Sequence, residues 1–377
     1  MTAARLSAIL SSMSDPRVAR TRVHKLADIL VIALLAMING ADGWEEIEAF
    51  GDVRLQWLRG FLELPGGIPC ADTFRRVFEA IDPDEFGRCL AEITEDLTAS
   101  VEGKVVAIDG KTLRGSADRR NGRSPLHVVS AWIAEESLTL GQVVTDEKSN
   151  EISAIPALIK TLAIEGATVT IDAMGCQKKI AAAIVERGAD YALALKDNHP
   201  TLRQEVEAAF AYPAASGAKA AEIDTCRVEN KGHGRHEMRR VTVMKNVGCI
   251  TEADDWKGLR SIVMVERERT VGDRTSRETA YYLSSLALSA AVMEKRIRAH
   301  WSVENSLHWS LDVVFREDSS RVRSRTGAAN LTQVRKLALS LLKLEQSQPG
   351  RSVARKRKIA GWEPDYAFRV LSMISAS

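Results

Sequence analysis

The chain has no Cys-x-x-Cys pair. Its five cysteines, Cys70, Cys89, Cys176, Cys226 and Cys249, are widely spread and odd in number, which argues against a disulfide scaffold or a cysteine-built zinc site and suits a reducing compartment. Net charge is nearly absent as well: 52 Lys and Arg against 50 Asp and Glu leave +2, so any contact with a polyanion must rest on local clustering. The run LADILVIALLAMI (Leu26–Ile38) is too short to cross a bilayer, carries Asp28 and follows His24 and Lys25, and reads as a buried helix. The first residues, MTAARLSAILSSMSDPRVAR, lack the basic start, unbroken apolar core and cleavage site of a secretory signal, so a cytoplasmic protein without a membrane partner is expected. No repeat of fixed period is visible, which argues against a solenoid or propeller. What remains, with 45% hydrophobic and 27% charged residues over 377 positions, is a globular chain of two or three domains.

Three regions follow from the residue patterns. Residues 1–98 read as a small helical domain: the Leu26–Ile38 run, then WEEIEAFGDVRLQWLRGFLEL, the breaker LPGGIP, and CADTFRRVFEAIDPDEFGRCLAEITEDL. In the last segment Asp72 is expected to cap one helix and Asp82, before Pro83, the next. Short helices and tight turns suit a helix-turn-helix reader of DNA, but any small bundle fits equally, and the bundle is the simpler reading. Residues 99–346 change to strands and helices. KVVAIDG, LHVVSAWIA and LTLGQVVTD are strands, EISAIPALIKTLA a helix, ATVTIDA a strand, CQKKIAAAIVERG a helix closed by Gly188, and DYALALK a strand. Three hairpin-linked strands followed by alternating helices and parallel strands predict an α/β fold with a ribonuclease-H-like mixed sheet. A β-rich insertion at about 212–286 interrupts it, since so long a segment cannot be structureless inside a compact domain. A helix from Ser289 to Leu311 and another over AANLTQVRKLALSLLKLE complete this region. Residues 347–377 form a basic tail.

The acids fall where chemistry is done. Asp109 closes VVAID and Asp172 closes TVTID; if these strands lie side by side, both carboxylates emerge at the carboxyl edge of the sheet, where open α/β sheets bind ligands. Paired carboxylates repel unless a cation neutralises them, and with phosphate oxygens they form a common oxygen set for Mg²⁺. Against this stands the simpler reading that each Asp caps a turn. In IRAHWSVENSLHWSLDVVFREDSSR, His300, Glu304 and His308 recur every four residues, so one helix would present them as a stripe. That stripe reads as a His-Glu-His metal face, as Glu304 completing a three-carboxylate site, or as an amphipathic helix with satisfied histidines. Glu317 and Asp318 sit among arginines and read as ion-pair partners. From Arg316 to Lys358, twelve Lys and Arg, including Arg316, Arg321 and Arg323, oppose Glu317, Asp318 and Glu345 for a net +9, which reads as a DNA-backbone surface. Residues 227–246, with six basic residues against Glu229 and Glu237, read as a second contact area.

VVAIDGKTLRGS, PLHVVSAW, DEKSNEISAIPALI, TIDAMGCQKKIA, YALALKDNHPTL, HGRHEMRRVTV, YYLSSL and HWSVENSLHWSLDVVFREDSSR together resemble the H-repeat-associated transposases, the ISAs family within the large insertion-sequence group of DDE transposases. HKLADILVIALLAMINGADGWEEIEAFG and GIPCADTFRRVF resemble that family's associated helical domain. The resemblance spans nearly the whole chain. It implies a catalytic triad of Asp109, Asp172 and Glu304 that binds two Mg²⁺ ions, with Mn²⁺ able to substitute. It further implies cleavage of DNA at terminal inverted repeats, joining of the freed 3′ hydroxyl to target DNA, and a homodimer when two ends are paired, in a nucleoid-associated protein of the cytoplasm. The rivals are a domesticated metal-dependent nuclease and a catalytically inactive DNA-binding protein of the same fold. Where the wider group carries Tyr, Arg and Lys around the glutamate, this chain has Ile297, His300 and Leu311. Phosphate contact then falls to His300, Arg298 or Lys196, with Lys111 and Arg114 beside Asp109.

Overall fold

A computed structural model describes residues 2–145, 151–213, 216–217, 219, 222–232 and 234–375. Residues 146–150 of the DEKSN motif and His233 lie outside the described residues. In chain order the helices and strands are α1 (Thr2–Ser11), α2 (Leu26–Ile38), α3 (Trp44–Leu58), α4 (Ala71–Ala80), α5 (Pro83–Leu97), β1 (Val105–Leu113), β2 (Leu126–Ile133), β3 (Leu138–Thr145), α6 (Glu151–Thr161), β4 (Thr168–Ile171), α7 (Lys178–Glu186), β5 (Asp190–Leu195) and α8 (Pro200–Ala211). They continue with β6 (Ile223–Gly232), β7 (Arg235–Met244), β8 (Ser261–Val271), β9 (Arg274–Ser284), α9 (Ala290–His300), α10 (Trp309–Val313), α11 (Arg325–Leu344), α12 (Val353–Trp362) and α13 (Pro364–Ser372). The chain divides into two compact units, each assembled from separated segments: 1–100, 110–150 and 303–377 form one, and 101–109 with 151–302 form the other.

In the first unit α2 is buried along all thirteen residues, as a helix apolar on every side must be. Its one acid, Asp28, is retained there by accepting a hydrogen bond from the Leu64 amide at 3.0 Å, and burial raises its pKa. No described helix is long and apolar enough to cross a membrane. The cap expected at Asp82 is present: its carboxylate accepts from the Asp84 and Glu85 amides at 3.0 and 2.8 Å, with Pro83 at the first helical position. Replacing Asp82 with Ala should lower stability by about 1 kcal/mol, read as a small drop in melting temperature; an unchanged melt would mean solvent caps α5 as well as Asp82 does. The cap position expected at Asp72 falls at Cys70, whose side chain makes no cap bond, and Asp72 lies in the first turn of α4, paired with Arg75 and Arg76. Helices α12 and α13 occupy much of the segment expected as a basic tail.

In the second unit the strands run in the order β1-β4-β5-β9-β8-β7-β6; β1 continues into the first unit, where it neighbours β2, itself paired with β3. β1, β4 and β5 are parallel, whereas β2 and β3 are antiparallel. The order β3-β2-β1-β4-β5 is the ribonuclease-H-like arrangement expected from the sequence. Helix α7 ends as expected at Gly188, whose φ of +70° only glycine adopts without strain. β6 to β9 form the β-rich insertion as an antiparallel meander. The segment expected as one helix from Ser289 to Leu311 is broken: α9 stops at His300, residues Val303–His308 form a π-helical turn, and α10 begins at Trp309.

Candidate active site

In the second unit the last paired residues of β1 and β4 are Ile108 and Ile171. Asp109 and Asp172 therefore follow at equivalent positions on adjacent parallel strands, whose spacing is about 4.8 Å. β4 ends there, while β1 runs on to Leu113, so Asp109 lies within its strand and does not end it. Asp172 turns the chain sharply: its Oδ1 accepts from the Met174 and Gly175 amides at 3.1 and 3.4 Å. Its Oδ2 has no hydrogen-bond partner among the described residues. The turn-capping role and a free carboxylate oxygen thus coexist in one side chain.

Asp172 opens into a cleft of about 190 Å³ within the same unit, shared with Lys196, Arg203, Tyr281, His300 and Trp301. Lys196 is exposed just past the end of β5. His300 Nδ1 lies 3.0 Å from Thr170 Oγ1, which ties the end of α9 to the strand carrying Asp172. Burial lowers the His300 pKa, with the Asp172 charge opposing, so the ring is neutral at physiological pH. Trp301 stays 41% exposed at the mouth. Arg298 is exposed, 4.0 Å from Glu294. Arg203 and Tyr281 carry no sequence signal: they reach the cleft through strand pairing and helix placement.

The first unit holds the other expected residues. Lys111, two positions after Asp109, does not face solvent: its Nζ contacts Asp312 at 2.5 Å, Glu317 at 2.7 Å and Asp318 at 3.6 Å. Burial alone would depress its pKa, but Glu317 and Asp312 outweigh that and hold it above the usual lysine value. Glu317 is fully enclosed and also accepts from Thr332 Oγ1 at 2.5 Å, with Arg335 at 4.0 Å. The ion-pair reading of Glu317 and Asp318 therefore holds, with a lysine 206 positions away in sequence as principal partner. The loop after β1 packs tightly here. A Cβ on Gly115 would lie 2.0 Å from the Ser320 carbonyl oxygen, so this approach admits no side chain. Arg114, Arg316, Arg321 and Arg323 are exposed, and Arg114 lies 3.6 Å from Asp318.

The helical stripe of His300, Glu304 and His308 does not form, because the π turn changes the angular spacing after His300. Glu304 is exposed within that turn, a local geometry frequent at functional sites. His308 is enclosed, and burial together with Lys336 and Lys111 pushes its pKa down to about 3. Among the described residues, no three His, Cys, Asp or Glu side chains are gathered closely enough to hold a metal ion. The net +9 stretch is not one surface either: Arg335, Lys336, Lys356 and Arg357 are buried. Lys336 Nζ donates to Ser130 and Gln142 at 2.5 and 2.6 Å, and Arg357 Nε donates to the Met37 carbonyl at 3.0 Å.

Comparison with known proteins gives consistent matches. The family model described as "Transposase DDE domain" matches residues 101–341, and the one described as "DDE_Tnp_1-associated" matches residues 7–93. The "H repeat-associated putative transposase YhhI" of Escherichia coli K12 is 38% identical over 354 residues, covering 93% of both chains. The "Putative transposase YncI" of Escherichia coli O157:H7 is 40% identical, covering 93% of this chain and 90% of that one. A shorter relative from Escherichia coli K12, named "Inactive transposase YbfQ", is 46% identical over 68 residues, 18% of this chain and 81% of its own.

Proposed function

We propose, from the premise that the chain belongs to the transposase DDE-domain family, that it binds the terminal inverted repeats of an insertion sequence, cuts at their ends and transfers the freed strand to target DNA. The observation that carries this reading is the register that sets Asp109 beside Asp172 on adjacent parallel strands. Two such carboxylates, one of them Asp172 with an unbonded oxygen and a place in the cleft lining, suit divalent cations. The third ligand is Glu304, assigned from the resemblance and compatible with its exposure. Two Mg²⁺ ions, or Mn²⁺ in their place, supply the activation of the attacking oxygen and the stabilisation of the leaving one.

This chain's own residues do the rest. Asp109 and Asp172 would supply the negative charge that holds the cations. Lys196 and Arg298 hold phosphates flanking the cut, and the exposed Arg114, Arg316, Arg321 and Arg323 contact the DNA backbone. Lys111, gripped by carboxylates, and His300, bonded to Thr170, act on DNA through the strand and helix ends they anchor. The helices of residues 1–98 read the repeats, and joining two ends requires a homodimer on DNA, within the cytoplasm where the chromosome lies.

The test is cleavage of a labelled duplex carrying the DNA that flanks the gene. Nicking at the repeat boundary is expected with Mg²⁺ and not with EDTA, and Glu304→Gln should remove it while leaving DNA affinity within about twofold. Binding without cleavage by the wild type would support an inactive descendant. Cleavage without strand transfer would support a nuclease, and full activity in the Glu304 variant would place the third ligand elsewhere.

A further inference from the structure

The meander β6 to β9 continues well past its apolar core, and its register sorts the outer residues onto two unlike faces. On one face Cys226, Val241, Val265 and Ala280 form a cross-strand row, in or beside the cluster built on α9 through Ala290, Met293 and Ile297. Moving outward on that face, the next rows are Val228, Arg239, Arg267, Glu278; then Asn230, Glu237, Arg269, Ser276; then Gly232, Arg235, Val271, Arg274. The opposite face carries Arg227, Arg240, Glu266, Thr279; then Glu229, Met238, Glu268, Arg277; then Lys231, His236, Thr270, Thr275.

Ion pairing separates the two faces further. On the α9 face both acids are engaged, Glu237 by Arg239 and Glu278 by Arg267. Arg235, Arg269 and Arg274 are exposed and have no carboxylate partner among the described residues. On the opposite face Arg227 pairs with Glu229, Arg240 with Glu266 and Arg277 with Glu268. Only Lys231 is left over there. The net charges of the outer rows are therefore +3 and +1.

The basic face is continuous with the candidate site. A groove in the same unit, lined by Arg239, Arg267, Glu294, Arg298 and Trp301, shares Glu278, Ile297 and Trp301 with the Asp172 cleft. The three unpaired arginines lie beyond it. Arg235 and Arg274 are two strands apart, about 10 Å, a length over which one DNA strand carries about three phosphates.

We infer that the α9 face of this extended meander, through Arg235, Arg269 and Arg274, is a binding surface for the backbone of the duplex whose end enters the Asp172 cleft. The inference rests on the function proposed above and assigns a role to one face only. Its test compares two triple variants of the full chain, Arg235→Ala/Arg269→Ala/Arg274→Ala and, on the opposite face, Arg227→Ala/Lys231→Ala/Arg277→Ala. Both remove three positive charges from exposed positions. Duplex affinity is measured from about 50 to 200 mM salt, with thermal melting to confirm folding. The first triple should lose about 10- to 100-fold in affinity and flatten the slope of log K against log salt by about 2 to 3, at about 0.9 per phosphate contact. The second should change the slope by less than about one. Equal effects from both triples would overturn the face assignment, as would a first triple that binds like a wild type active in cleavage, in which case the proposed function stands. A first triple that alters oligomeric state and not DNA affinity would make the face a contact between copies, again overturning the inference. A wild type that neither binds nor cuts DNA would overturn the proposed function itself.

Discussion

Asp172→Asn should abolish metal-dependent strand cleavage, by about 10³-fold or more in single-turnover rate, the upper range for deleting one electrostatic element of a site, while duplex affinity and melting temperature stay close to wild type. The substitution is informative because the proposed function adds a cation-binding role to the turn cap that Asp172 forms. Asn retains an Oδ1 acceptor for the Met174 and Gly175 amides, so the turn after β4 survives. What it lacks is the negative charge. Asp109→Asn should behave alike, and the double variant should be scarcely worse than either single one, since groups that act as a unit are non-additive. Retained cleavage in Asp172→Asn would show that Asp172 caps its turn and does no chemistry. Loss of folding instead would show that the charge, beyond the cap, is structural.

Glu317→Gln should be among the most destabilising conservative substitutions in the first unit, by about 3 to 5 kcal/mol. Glu317 is 2% exposed and faces Lys111, Arg335 and Thr332. The amide keeps the shape and one acceptor but leaves the buried cations without their shared counter-charge. Lys111 would still have Asp312 and Asp318; Arg335 would keep its bond to the Asp42 carbonyl at 3.1 Å. For a unit of this size the melting temperature should fall by about 10 °C, at about 2 to 4 °C per kcal/mol. The effect is pH-dependent with a definite sign. Burial would raise the Glu317 pKa, but Lys111 and Arg335 outweigh it and hold it below the ordinary 4.5. Its contribution is fully present above that value and is lost as pH falls through the lower folded one. The gap between wild type and variant, recorded by calorimetry, should therefore be present at neutral pH and close in strong acid. No gap at neutral pH would mean that Asp312 and Asp318 alone neutralise Lys111.

Local chemistry alone set much of this protein. The β-branched runs before Asp109 and Asp172 commit those segments to strands, and Asp82-Pro83 starts α5 where expected, because each depends on backbone preferences within a few residues. LADILVIALLAMI had to be buried whichever fold received it, and the alternation of strand and helix after Gly103 left few topologies other than the ribonuclease-H-like order. Tertiary structure decided what distance along the chain conceals. Nothing in RAHWSVENSLHW breaks a helix by composition, yet α9 ends at His300 and a π turn follows, so a stripe read from four-residue spacing dissolves. Counting charge from Arg316 to Lys358 cannot tell Arg323, which is exposed, from Arg335, Lys336, Lys356 and Arg357, which are buried on carbonyls, hydroxyls and acids. Only packing brings Glu317 to Lys111, and only strand register gathers Arg235, Arg269 and Arg274 on one face while setting three acids against three arginines on the other. Periodicity reports the dihedral preference of neighbouring residues, whereas the partner of a charge is fixed by which surfaces meet once the chain has folded.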